Sequence, residues 1–416
     1  MKRASLSFPV LSCAVLLSAV FAAEPSKKPT AAKPAVIDAS KYANLQAAFD
    51  AVPETGGLVR LPPGNFELTE PLVLSRENTR IEGSGAATHL INRNEQGKPA
   101  LILRPPGPNQ DPPPRKWRAW RVQVADFRIS GNPKSGDGLL AIHIEELYVH
   151  GLSIDHNGRH GINLVTCRED PRISDSIITY NAQAGLNAVG VHDAVVNANH
   201  FEENQDAVRF VDGYNLCMNG NNLDDHLRHG VVIENTYGSV LSGNMIEECK
   251  GTAVILDRDC YGITISANVI AHNFGGGVDL RDAWGSTVSA NTFVVVGVRA
   301  LSIRPASGRI TVTGNSFSNN WIGGKTKPFK SPATGILLAG TSDIVISGNT
   351  FTGLDRQAVE ADAKCRRIVI TGNTMVDMNR KSQEDSPAID LRGAKEVVSG
   401  TNIIKEKLES ETKTPE

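Results

Sequence analysis

Asp206 and His229 stand 23 residues apart, each one residue ahead of a short apolar run, AVRFV and GVVIE. If the two runs are neighbouring strands, the residues lie about 4.8 Å apart, backbone to backbone. A carboxylate beside an imidazole makes an acid/base pair and should raise the imidazole pKa. Arg209, on the strand that Asp206 opens, offers a planar fork for a sugar carboxylate. His160 holds the same position two units before Asp206, and Asn187 holds the position of Arg209 one unit earlier. Further along the strands come Asp257, Arg281 and Arg304. We take Asp206 and His229 as acid/base candidates, Arg209 as the carboxylate clamp, and His160 and Asp257 as the next catalytic candidates. Arg281, Arg304 and Asn187 are candidate substrate contacts, and His156, Asp225 and His226 lie in the adjacent turns. Asp257, Asp259, Asp279 and Asp282 could supply hard oxygen ligands to Ca2+, with Arg258 and Arg281 as competing ion-pair partners. A solvated outer face is the alternative to any of these roles.

These residues are spaced by a repeat. VNANHF, MNGNNL, LSGNMI, ISANVI, VSANTF, VTGNSF, ISGNTF and ITGNTM place asparagines at 199, 221, 244, 268, 291, 315, 349 and 373. The frame extends upstream to Ser176 and Leu152, and downstream to the neighbourhood of Thr401. Each unit holds two or three short strands whose apolar spacing is two, which excludes helical repeats. Units this short bury an apolar face only by stacking. The expected fold is therefore all-β: a right-handed, single-stranded parallel β-helix over residues 36–403. Stacking also explains the asparagines. One per coil, at one turn, can hydrogen-bond along an internal ladder. Thirty asparagines and 38 glycines in all make a helical protein improbable. Ahead of the repeats, Leu45, Ala48, Phe49 and Val52 form one helical stripe, a short N-terminal capping helix over strand edges that would otherwise pair with other chains.

Two insertions interrupt the period. Residues 104–121 carry Trp117 and Trp120 among basic residues. Residues 318–334 carry Trp321, Lys325, Lys327, Phe329 and Lys330. Solenoid insertions become loops over one face, and Trp321 with Lys325 is a candidate contact for an anionic sugar. Residues 1–23, a basic start followed by an apolar run, read as a signal peptide. Residues 24–35 read as a linker and 404–416 as a solvated tail. The protein should therefore be secreted or periplasmic, with no membrane insertion after signal cleavage. Near-balanced charge, 43 Lys+Arg against 45 Asp+Glu, argues against nucleic-acid partners. Five cysteines outside the signal are odd in number and lack CxxC spacing. They read as buried thiols rather than a disulfide framework or a zinc site.

The segment NLQAAFDAVPETGGLVRLPPGNFELTEPLVLSRENTRIEGSGAATHL resembles the N-terminal region of the pectate-lyase-like right-handed β-helix superfamily, and the repeats resemble its generic coils. The resemblance spans roughly residues 36–402. It implies a protein that acts on a polysaccharide, with lyase chemistry on a uronate-containing chain as the first expectation and glycoside hydrolase, C5-epimerase or a non-catalytic glycan-binding envelope protein as alternatives. Polygalacturonases of this group carry aspartates at the strand-opening turn and a Gly-His-Gly one coil later. Here Asn204-Gln205-Asp206 and Arg228-His229-Gly230 fall at comparable spacing, but Gln205 and Gln183-Ala184 stand where further aspartates belong. Hydrolysis normally needs two carboxylates about the bond.

Overall fold

The computed structural model describes residues 35–107, 117–319, 334–381 and 386–405. Alternation of apolar and polar residues in strands of two to nine residues produces a coil with three faces. One coil shows the plan. Val195–Asn197 lies on the first face, His200–Glu202 on the second and Asp206–Tyr214 on the third. The same faces recur in Cys217–Asn219, Asn222–Asp224 and His229–Tyr237 of the next coil. Every coil pairs in parallel with the next. The second face alone is a 14-stranded parallel sheet. The whole is a right-handed parallel β-helix of about 13 turns.

The inward residues form the core. Val196, Met218 and Leu241 stack from the first face, Phe201, Leu223 and Ile246 from the second, and Val208, Val231 and Val254 from the third, all buried. Like sits on like because successive coils repeat one pattern. Phe293, Phe317 and Phe351 stack with ring centroids 4.7 Å apart. Burial of this continuous column is the main stabilising term.

The corner between the first and second faces is held by the expected asparagine ladder. The backbone N–H and Nδ2 of Asn199 both donate to Oδ1 of Asn221, at 3.1 and 3.0 Å. The same double bond repeats through Asn268, Asn291, Asn315, Asn349 and Asn373 to Asn402. Ser176 opens the series by donating its N–H to Asn199. The ladder thus ends on Asn402, one residue beyond the Thr401 read from sequence. Each asparagine follows a left-handed residue, for example Gly243 at φ 67°, which accounts for the Ser-Gly-Asn motif.

A second ladder, at the corner between the second and third faces, escaped the sequence reading. Asn157 donates to Asn181 and Asn181 to Asn204. His226 and Cys249 then occupy the next two rungs, and Asn273 resumes the pattern by accepting from the Cys249 N–H at 3.1 Å.

The N-terminal helix, α1 (Leu45–Asp50), forms as expected. Asn44 caps it by accepting from the Ala47 N–H at 2.9 Å, and Leu45, Ala48 and Phe49 are buried. Its Gln46 amide imitates a strand. Nε2 donates to the Val73 carbonyl at 3.0 Å, and Oε1 accepts from the Val73 N–H at 2.8 Å. These bonds close the edge of Leu72–Leu74, the first strand of the third face. That is how a six-residue helix ends the sheet.

Four of the five described cysteines are buried, but Cys217 is exposed. It takes an outward position on its strand, so the expectation of buried thiols fails there. Burial pushes the Cys167 and Cys249 thiols up to about 12 and that of Cys260 to about 11. Among the described residues no helix is long and apolar enough to cross a membrane. Residues 1–34 and 406–416, to which the signal peptide and most of the linker and tail were assigned, lie outside the described residues.

Candidate functional site

Ala184, Asp206 and His229 are successive partners in the third-face ladder, as their spacing suggests. Asp206 is fully buried. Its Oδ1 accepts from Arg228 Nε at 2.8 Å and from the His229 backbone N–H at 3.1 Å. Its Oδ2 meets Arg228 Nη2 and lies 3.6 Å from Arg209 Nη1. Burial pushes the carboxyl pKa up, but the Arg228 hydrogen bond and charge outweigh it and hold Asp206 below the usual carboxylate range. Asp206 is therefore a fixed anion that positions Arg228 and His229.

His229 Nδ1 accepts from the Thr252 N–H at 3.0 Å. That bond assigns the neutral tautomer: Nδ1 carries the lone pair, and Nε2 carries the proton. Nε2 has no hydrogen-bond partner among the described residues. Burial lowers the His229 pKa and outweighs the attraction of Asp206, contrary to the rise expected from the neighbouring charge. The ring rests against the next coil, where a Cβ on Gly251 would come within 2.4 Å of Nδ1. The group thus presents a neutral imidazole with its proton on Nε2, on the coil that follows Asp206, and Asp206 holds both the His229 backbone and Arg228.

The same module occurs once more. The His160 N–H donates to Asp137 Oδ1 at 3.1 Å, and His160 Nδ1 accepts from the Ala184 N–H at 3.1 Å. Arg159 lies 3.6 Å from Asp137. Burial lowers the His160 pKa as well. Asn187 donates to Asn163, which donates to Asp137. Asn187 therefore belongs to the His160 module, away from His229.

The remaining candidates sit elsewhere on the third face. Thr252 is level with His229 and precedes Asp257 by five residues, so about 16 Å of strand separates Asp257 from that imidazole. Asp257 pairs with Arg281 at 3.4 Å, Arg281 with Asp279 at 2.9 Å, and Asp279 with Arg304. Arg209 and Arg258 share Glu234. The outward residues Val232 and Ile255 of these strands are buried. A single cluster of Asp206, His229 and Asp257 is not formed. Of the functional side chains, the sequence reading missed Arg228, Glu234, Asp137 and Arg159. The Arg-His dipeptide that recurs at 159–160 and 228–229 was the available signal. Trp321 and Lys325 lie outside the described residues.

The four proposed calcium ligands do not converge. Asp257 and Asp279 are taken by arginines, and Asp282 accepts from the Asp259 N–H at 2.8 Å. Three carboxylates do approach within 4.8 Å of one another on the second face: Asp224, Asp225 and Glu248. Burial, and then Asp225, raise the Asp224 pKa; burial, and then Asp224, raise that of Glu247. Trp120, in the first insertion, pairs its short strand with Ile144–Glu145. Arg118 forms an ion pair with the buried Glu145, which anchors that end of the loop.

The fold, a right-handed parallel β-helix, is shared by the solved structures that the chain resembles. Gene product 12 of bacteriophage phi29, in its pre-mature form, superposes with a TM-score of 0.70 at 13% identity, over 88% of this chain and 56% of that one. A DFA-IIIase from Arthrobacter chlorophenolicus A6, solved without its lid in complex with GF2, gives 0.55 at 18% identity, over 83% and 88%. The family 28 exopolygalacturonase of Yersinia enterocolitica gives 0.54 at 12% identity, over 88% and 78%. The chain spans less than two thirds of the length of the phage structures it matches. A family model described as periplasmic copper-binding protein (NosD) matches residues 171–331. No curated protein matches the sequence. Copper favours imidazole and sulfur ligands, whereas among the described residues the ligand group within reach of one ion is all carboxylate. The described residues do not fit a copper centre.

Proposed function

We propose that the protein is exported and acts on an anionic, uronate-containing polysaccharide laid along the third face, cleaving it as a lyase. The observation that carries this reading is the Asp206–Arg228–His229 module. Arg209 and Arg228 neutralise the sugar carboxylate and acidify the adjacent C5–H; solvent hydroxide takes that proton, the C4–C5 double bond forms as the C4–O bond breaks, and the leaving oxygen, hydrogen-bonded by the Nε2–H of His229, takes its proton from water. Asp206 is a positioning residue. A hydrolase would need a protonated carboxylic acid on this face, whereas Asp206 is held ionised. Export is supported by the charged and apolar N-terminus and by the periplasmic description of the matching family model.

A second reading is a non-catalytic glycan-binding protein that uses the same surface. It is favoured by the arginine pairing of Asp206, Glu234, Asp257 and Asp279, which leaves no base placed beside His229. Incubation with pectate, alginate, heparinoid and neutral glycans tests both readings. Ultraviolet-absorbing unsaturated ends that disappear in His229→Ala support the lyase. Reducing ends without absorbance indicate hydrolysis, and retention without any product indicates a binder.

A further inference from the structure

One edge of the solenoid, where the third face turns into the first, carries an aromatic side chain on five successive coils. His192, Tyr214, Tyr237, Tyr261 and Trp284 are partners in register. At about 4.8 Å per coil they cover about 19 Å along the axis. The His192 and Tyr214 rings meet edge to face at 4.7 Å, and Tyr214 stacks on Tyr237 at 5.5 Å. The last two rings lie against glycines of the following coil. A Cβ at Gly285 would fall 3.2 Å from Tyr261, and one at Gly308 would fall 2.8 Å from Trp284. Glycine there brings each ring down onto the backbone. Tyr214 and Tyr261 are 45% and 52% exposed, although large aromatic side chains are usually well covered. Arg309 stands over the Trp284 ring at 5.9 Å.

The margin of this track is polar and acidic. The Tyr237 hydroxyl donates to Asp259 at 2.8 Å. Asn215 donates to Asp193 at 2.8 Å, and Asn235 to Asp212 at 2.9 Å. Arg258 is tied to Glu234. Carboxylates and amides at the rim of exposed rings suit a ligand with apolar ring faces and many hydroxyls, and they repel an anionic one.

We propose that this track binds an extended, uncharged glycan running parallel to the solenoid axis, with sugar rings packed on Tyr261 and Trp284 and hydroxyls bonded to Asp193, Asp212 and Asp259. The surface is separate from the His229 module, and the proposal does not rest on the lyase reading. The ring-per-coil spacing is close to the length of one sugar unit, so a linear chain stays in register over several coils.

Affinity electrophoresis of the full chain in gels containing hydroxyethylcellulose, xylan or glucomannan, with pectate as the anionic comparator, tests it. Retardation by at least one neutral polymer is expected, with about a tenfold loss of affinity in each of Tyr261→Ala and Trp284→Ala. Trp284→Phe should keep most of the binding, and His229→Ala all of it. Circular dichroism and thermal unfolding confirm that the variants fold. No retardation by any neutral polymer overturns the proposal, as does unchanged binding in the Tyr261→Ala/Trp284→Ala double variant. It is equally overturned if the double variant turns an oligomer into a monomer on sizing, which would make the track a contact between copies.

Discussion

Two corners of this solenoid start from the same asparagine rungs and differ in how far the series runs. Between the first and second faces, asparagines bond from Asn199 to Asn402 in an unbroken series. Between the second and third faces, the series Asn157–Asn181–Asn204 is interrupted by His226 and Cys249 before Asn273 resumes it. The interruption falls on the coils that carry His229 and Thr252. A regular ladder satisfies buried backbone groups at every coil and has no chemistry to spare. The broken ladder leaves the His226 Nε2 buried without a partner among the described residues, a cost usually tolerated only beside a functional site.

The largest effect should come from the intact corner. Asn268→Ala removes the acceptor for both Asn244 donors and one of the two donors to Asn291 Oδ1, and we expect a loss of about 4 kcal/mol in denaturant unfolding. Asn204→Ala, next to the break, should cost clearly less; equal costs would erase the distinction between the corners.

Asp206→Asn strands Arg228 beside a neutral amide and should cost about 3 kcal/mol. Because the folded Asp206 pKa lies below its ordinary value, its contribution is present above the unfolded pKa and fades as pH falls through the folded one. Wild type should lose this part of its stability only in acid, and Asp206→Asn should show a flatter acid limb. An unchanged limb would remove Asp206 from its assigned place.

His226 works over a higher range. Burial lowers its pKa to about 4, so folding favours the neutral ring. Its contribution is complete above the unfolded pKa of about 6.5 and declines as pH falls toward 4, by about 2 kcal/mol at pH 5. His226→Asn should restore the rung, add stability and abolish that slope. If activity also falls, the break is functional; if activity is unchanged, the interruption is only a defect in the ladder.

The last effect is that of Gly251→Ala, whose Cβ would meet both the Arg228 carbonyl oxygen and the His229 ring at 2.4 Å. A stability cost of about 2 kcal/mol should accompany a larger fall in turnover or glycan affinity. A matched fall in both would leave His229 with no special role.

The sequence exposed whatever obeyed the period. Asn199 to Asn373, the partners Asp206 and His229, and the α1 stripe all followed from spacing, because a solenoid turns sequence distance into height. Features that the period does not encode were missed. Arg228 reaches back 22 residues to Asp206, and a long side chain's direction is not set by register. The second ladder was hidden because His226 and Cys249 break its signature. The aromatic track is not legible from the repeat, because its residues lie beyond the short apolar runs that carry the period. The rise expected for the His229 pKa came from counting the neighbouring charge without the burial that outweighs it.

The central claim is that the neutral His229 imidazole acts on a uronate chain as a hydrogen-bond donor from Nε2 to the leaving oxygen. The direct measurement is product formation from pectate and alginate by wild type and His229→Ala at equal fold stability, read together as unsaturated ends and as reducing ends. The account predicts both signals in wild type and neither in the variant. Full activity in His229→Ala, or reducing ends without unsaturation in wild type, would contradict it.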